Sequence, residues 1–352
     1  MFDLSEGIAV GPGWQTLPAD PGLAWKKDEK WVIDAAPDDV TDPPPEAREP
    51  ALVKRTGVCG AVAPRVIALP GGGFRLYYTQ ILPRPGFPAG AVDYGNATSR
   101  ILSAFSSDGT SWQLEPGVRL SAAEGGAGAF RVVSSEVVPI FNNPGRLRMY
   151  YECSNGPQTV GNSIRSACSS DGGLVWIPEP GICLGDNGRN YMTPRILLLD
   201  DGRCRLFCGE RGRGIISALS DDGRPEFHEE PGTRIAPGGP YDHHFAFAPE
   251  IIRLTNGTYV MYYAGYSVPT RAHILRAVSD DGLVWSKDSS PVISPGRDDL
   301  SSVKCSEMCV VKLPRSSGAI PQYRMFYEAC DGTAEGMRGV WRIHSATAVA
   351  AA

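Results

Sequence analysis

Three glutamates sit in similar apolar stretches of this sequence: Glu136 in "SEVVPIF", Glu250 in "APEIIRL" and Glu307 in "SEMCVVKL". Two arginines are placed likewise, Arg65 in "APRVIAL" and Arg195 in "TPRILLL". Carboxyl groups set among apolar residues have perturbed pKa values and can work as an acid and a base, one giving a proton and another taking one. Glu136, Glu250 and Glu307 are therefore candidate catalytic residues. Arg65 and Arg195 are candidate binding residues, because a guanidinium orients carboxylates, phosphates or sugar hydroxyls through forked N–H donors. Asp242, His243 and His244 lead into the fourth of these stretches in "GPYDHHFAFAPE". Asp242 or His243 is an alternative acid, and His244 a binding residue. Neighbouring side chains in an extended chain point opposite ways, so the two histidines make a poor metal pair. Glu210 and Arg211 in "CGERGRG" are further binding candidates. Glu152 in "YYECSNG" and Glu328 in "FYEACDG" occupy places similar to Glu210, and solvated turn charges are the expectation for most of the three.

The elements that must position these residues repeat along the chain. Ser-(Ser/Asp)-Asp-Gly recurs with its aspartate at Asp108, Asp171, Asp222 and Asp281, spacings of 63, 51 and 59 residues. An apolar strand precedes each copy ("RILSAF", "SIRSAC", "GIISAL", "HILRAV"), and an aromatic residue follows each. Asp-Gly supplies the positive φ of a tight hairpin, so each copy predicts two antiparallel strands. Two more strands precede each pair, the second of them reading "FRLYYTQ", "LRMYYEC", "CRLFCGE", "YVMYYAG" and "YRMFYEA". Four antiparallel strands repeated about every 60 residues predict an all-β, five-bladed β-propeller.

The fifth unit lacks its last strand. Gly22–Ile33, "GLAWKKDEKWVI", matches Gly282–Ile293, "GLVWSKDSSPVI", at six of twelve positions. The first 33 residues are thus predicted to close the last blade and remove two open sheet edges. Residues 34–56, acidic and Pro-rich, read as an extended connector, followed by blades at about 57–125, 126–188, 189–241, 242–300 and 301–352 in a single domain. The first strands line the channel of such a fold, so their starts would bring three glutamates and two arginines to one mouth. Counting back from the second strands aligns Pro64, Pro194 and Pro249 and puts Glu136 and Glu307 at about the same level.

Composition sets limits. Gly 41 and Pro 30 suit turns rather than long helices, and a net charge of −5 gives no nucleic-acid footprint. There is no run of about 18 apolar residues, so no membrane helix is expected. The N-terminus does not read as a secretory signal, and nine scattered cysteines suggest reduced thiols, so a cytoplasmic location is the expectation. Cys204 and Cys208, like Cys305 and Cys309, are four apart, which in a strand is about 13 Å, too far to share a metal. No metal or cofactor is called for, and the oligomeric state is open.

These repeats, with strands such as "YVMYYAG" and "YRMFYEA", resemble the five-bladed β-propeller glycosidase superfamily of arabinanases, invertase relatives and mannoside phosphorylases. The resemblance covers nearly the whole chain and implies a carbohydrate or other small-molecule substrate in the central channel. It does not carry over the catalytic carboxylates: Ala63, Thr193 and Phe247 stand where the arabinanase-like pattern has Asp, Asp and Glu. Three readings follow: a glycosidase-like enzyme with relocated carboxylates, a non-hydrolytic cyclase, lyase or transferase on the same scaffold, and a carbohydrate-binding propeller without catalysis.

Overall fold

The computed structural model describes residues 16–36, 42–47, 59–84, 97–126, 129–140, 143–156, 161–296, 301, 303–314, 320–333 and 339–349. Residues 1–15, most of the 34–56 connector and the last three residues lie outside them. Among the described residues every regular element is a β-strand.

The strands fall into antiparallel units. The inner strands are Cys59–Ala68, Arg131–Ile140, Tyr191–Leu198, Phe245–Leu254 and Lys304–Lys312. Each pairs with a second strand: Phe74–Pro83, Asn143–Ser154, Cys204–Glu210, Tyr259–Val268 and Gln322–Cys330. The third strands are Ala97–Ser106, Asn162–Ser169, Gly214–Ser220, Arg271–Ser279 and Val340–Val349. Two-residue outer strands complete the units at Gln113–Leu114, Ile177–Pro178, His228–Glu229 and Ser286–Lys287. On the last third strand that place is taken by Lys26–Lys27, with Ile33 bridging to Ile343. Each inner strand packs beside the next, and Lys304–Lys312 packs beside Cys59–Ala68. The result is a circle of curled sheets, a propeller-like arrangement.

The repeated sequence marker holds neighbouring units together. Its serine and aspartate close the hairpin: Ser106 Oγ accepts from Gly109 N (2.8 Å), and Asp108 Oδ1 accepts from Thr110 N (2.7 Å). Gly109 has φ of +75°, where a side chain would be strained. The aromatic residue after the turn then meets a ring of the preceding unit edge-on. The pairs are Trp112–Phe326, Trp176–Tyr77, Phe227–Tyr150, Trp285–Phe207 and Trp25–Tyr262, with centroids 5.4–6.4 Å apart. Where the partner is tyrosine, its hydroxyl donates to the turn glycine, at Gly173 O (3.0 Å), Gly223 O (2.6 Å) and Gly22 O (2.7 Å). The similarity between the two ends of the chain thus has a physical basis: Gly22 and Trp25 make for the fifth unit the contact that Gly282 and Trp285 belong to in the fourth.

Candidate active site

Every inner strand carries a bulge at the same register. Pairing skips between Val62 and Arg65, Val133 and Glu136, Met192 and Arg195, Phe247 and Glu250, and Ser306 and Met308. In the first four strands the bulged residue has positive φ: Ala63 (+54°), Ser134 (+54°), Thr193 (+53°) and Ala248 (+52°). None of these is glycine, so each bulge is strained, at roughly 1–3 kcal/mol. The bulges separate two layers of side chains around the axis.

The deeper layer is Arg65, Glu136, Arg195 and Glu250, which face Tyr77, Tyr150, Phe207 and Tyr262 of the second strands; Cys309, opposite Phe326, is the fifth member. All four charged residues are buried. Arg65 pairs with Glu136 (Nε–Oε2 2.8 Å) and with Glu250 (Nη1–Oε2 3.1 Å), and Arg195 Nε pairs with Glu250 Oε2 (3.1 Å). Ile196 N donates to Glu136 (3.3 Å), Val310 N to Glu250 (3.1 Å), and Arg195 Nη2 to Met308 O (3.1 Å). Burial pushes the Glu136 carboxyl up to about 7, against the pull of Arg65 and Arg195. The four residues expected to act on substrate are thus bonded to one another. Glu136 also stands one residue deeper than the level of Pro64, because it shares the register of Arg65.

The shallower layer gathers a second group. Glu307 occupies the bulge of the fifth inner strand, two residues before Cys309, and its side chain is half-buried. Its Oε2 accepts from Ser134 Oγ (2.8 Å). Glu328, paired with Ser306, accepts from Ser306 Oγ (2.6 Å) and Ala63 N (3.0 Å). Glu152, paired with Val133, accepts from Asn162 Nδ2 and from the Thr193 backbone. Burial raises all three carboxyls, Glu152 to about 8, and repulsion from Glu307 raises Glu152 and Glu328 further. Glu152 and Glu328 are buried, not solvated turn charges.

Glu210 is not their equivalent. It lies opposite Tyr191, one residue beyond the register of Glu152 and Glu328, and one step along a strand reverses the face. It is held by Arg189 (Nε–Oε1 2.6 Å) and Arg213 (3.2 Å) instead. Asp242 is buried and bonded to Lys287 Nζ (2.6 Å), Tyr263 Oη (3.0 Å) and Gly239 N (2.6 Å), so it anchors a loop. His243 and His244 are exposed before Phe245, with His244 N donating to Tyr266 O (3.0 Å). Arg211 is exposed and acts electrostatically on Glu152. Phe245, Phe247 and Tyr266 form an aromatic wall, with centroids 4.9 and 5.7 Å apart, and burial raises the Tyr266 phenol, with Glu328 adding to it. At the opposite end of the axis a cavity of about 560 Å³ is lined mainly by aliphatic residues such as Val66, Val137, Ile252 and Val310. Among the described residues no group of three or more His, Cys, Asp or Glu is placed to hold a metal.

No family model matches the sequence, and no curated protein matches it. Solved structures do. A glycoside hydrolase aligns with TM-score 0.68 at 14% identity over 91% of this chain and 92% of that one. A thermostable family-43 glycoside hydrolase aligns with TM-score 0.59 at 16% identity over 84% and 90%. A family 117 glycoside hydrolase from Zobellia galactanivorans aligns with TM-score 0.61 at 14% identity over 92% and 90%. At identities this low the likeness is one of fold, and the chain has the propeller-like fold of these glycoside hydrolases.

Proposed function

We propose that the units are five blades of a single propeller closed by residues 26–33, and that the protein is a glycosidase-like enzyme acting on a small carbohydrate at the mouth formed by Glu152, Glu307 and Glu328. The observation that carries this reading is a comparison between blades. In the first blade the position of Glu152 and Glu328 is Thr79, whose hydroxyl accepts from the bulge amide of Ser134 (3.2 Å) just as Glu328 accepts from Ala63. Gly209 and Ala264 hold the same register in the third and fourth blades. Capping a bulge therefore needs no carboxyl group, yet two are buried here at the cost of desolvation, beside a third.

Their environments suit different tasks. Glu152 keeps its proton to about pH 8 and is the candidate general acid. Glu307 is the most accessible of the three, and the Ser134 hydroxyl stabilises its anion, so it is the candidate base or nucleophile. Glu328, bonded to Ser306 and repelled by Glu307, tunes that neighbour. Glu136 and Glu250 hold the axis together.

The test is turnover of a broad aryl-glycoside panel. Glu307→Gln and Glu152→Gln should each lower kcat by about 10²–10⁴ while leaving the fold intact. A panel that is hydrolysed equally well by wild type and both variants would refute the assignment. If Glu152 is the acid, kcat should fall as pH rises through about 8.

A further inference from the structure

The carboxyl groups at the mouth are accompanied by cations that the hydrolytic roles do not use. Lys304 starts the fifth inner strand, two residues before Ser306. Its ammonium lies 5.8 Å from the Tyr266 ring centroid and 5.4 Å from that of Trp341, in the seam between the fourth and fifth units. Among the described residues no ion pair or hydrogen bond reaches this ammonium, although it acts electrostatically on Glu328. Two aromatic faces steady its charge without neutralising it. Across the mouth Arg211 is exposed and Arg131 is buried, and both act on Glu152.

The charged groups gathered here are Lys304 and Glu307 from the fifth inner strand, Glu328 and Glu152 from second strands, and Arg211 from a turn; Arg131 is bonded to Ala97 O, Ser154 Oγ and Gly156 O, and Arg195 acts on Glu307 from the deeper layer. Burial raises the three carboxyl groups, Glu152 to about 8. Lys304 thus brings to the mouth a positive charge set between two aromatic rings, on a chain whose formal net charge is −5. A neutral sugar gains nothing from that field, and an anionic one does.

We infer that Lys304, held between Tyr266 and Trp341 beside Glu328, binds an anionic substituent of the sugar, a uronic carboxylate or a sulfate ester. This inference rests on reading the mouth as a carbohydrate site, and it concerns recognition rather than cleavage. The Tyr266 and Phe247 rings would take the apolar face of the sugar next to that charge.

The experiment is equilibrium binding of methyl glucuronide, glucose 6-sulfate and methyl glucoside by calorimetry at low salt, to wild type, Lys304→Met and Lys304→Arg. Methionine keeps an unbranched chain between the two rings, and thermal denaturation of each variant checks that it is folded. Wild type should bind at least one anionic sugar about tenfold or more tightly than the neutral glycoside, as a charged hydrogen bond allows. Lys304→Met should erase that preference without changing neutral binding, Lys304→Arg should retain much of it, and salt should weaken it. Which anionic sugar binds more tightly names the substituent. Equal binding of charged and neutral sugars, an unaffected Lys304→Met, or no binding of either anionic sugar would overturn the inference. Absence of turnover with the binding preference intact would refute the hydrolytic reading and leave this one standing.

Discussion

At the scale of single residues, burial raises carboxyl groups in both layers of the axis, Glu136 to about 7 and Glu152 to about 8. Glu152 is ordinarily titrated at 4.5 but keeps its proton to about 8 when folded. Folding therefore takes up a proton between these values, and stability falls as pH rises through that window, at about 1.4 kcal/mol per unit, then levels off. Glu152→Gln removes this penalty. Denaturation of wild type and variant side by side should show the variant gaining relative stability from about pH 5 to 8 and no further gain above. A difference that is flat across that range would mean that Glu152 is not buried with its proton. Cys309 is shifted the same way: burial pushes its thiol up to about 12, so it stays neutral in the deeper layer.

At the scale of elements, the bulged inner strands build the site. An odd ring cannot alternate charge all the way round. Arg65, Glu136, Arg195 and Glu250 alternate, and neutral Cys309 fills the fifth place. Removing one charge leaves another buried without its partner, so Glu250→Gln should cost about 3–5 kcal/mol by chemical denaturation. Cys309→Ala, which loses only volume, should cost about 1–2 kcal/mol. Similar costs for the two would contradict the charge-balance argument. Above this ring the bulge turns Glu307 toward the mouth, whereas the aligned positions Ala63, Ser134, Thr193 and Ala248 place small groups there.

At the scale of the whole molecule, the aromatic–turn contacts tie unit to unit around the circle, and the N-terminal stretch supplies one of the five. Trp25→Ala and Trp112→Ala should therefore destabilise the protein by comparable amounts, roughly 2–4 kcal/mol each, although one lies near an end of the chain and the other within it. A negligible effect at Trp25 would show that residues 22–27 do not close the circle. The exposed ends of the marker turns, Val175, Ile177 and Val284, take no part in these contacts.

The hairpin repeat, the aromatic strands and the Gly22–Ile33 match were legible in the sequence because local patterns carry them: period-two alternation, a positive-φ glycine, one aromatic residue per turn. The presence of charge at the axis was legible as well, since Arg65, Glu136, Arg195 and Glu250 interrupt apolar strands. Which charges are used up was not. Glu136 stands one residue deeper and Glu307 one residue shallower than Pro64, offsets that counting across turns of unequal length does not resolve, and a one-residue offset in "FCGE" against "YYE" and "FYE" sends Glu210 to another face than Glu152 and Glu328. The sequence by itself determined the strands, their order and the residue types near the axis. Only the tertiary structure decided which arginine meets which glutamate and which carboxyl groups lose water, because those depend on partners some 55 to 265 residues away along the chain.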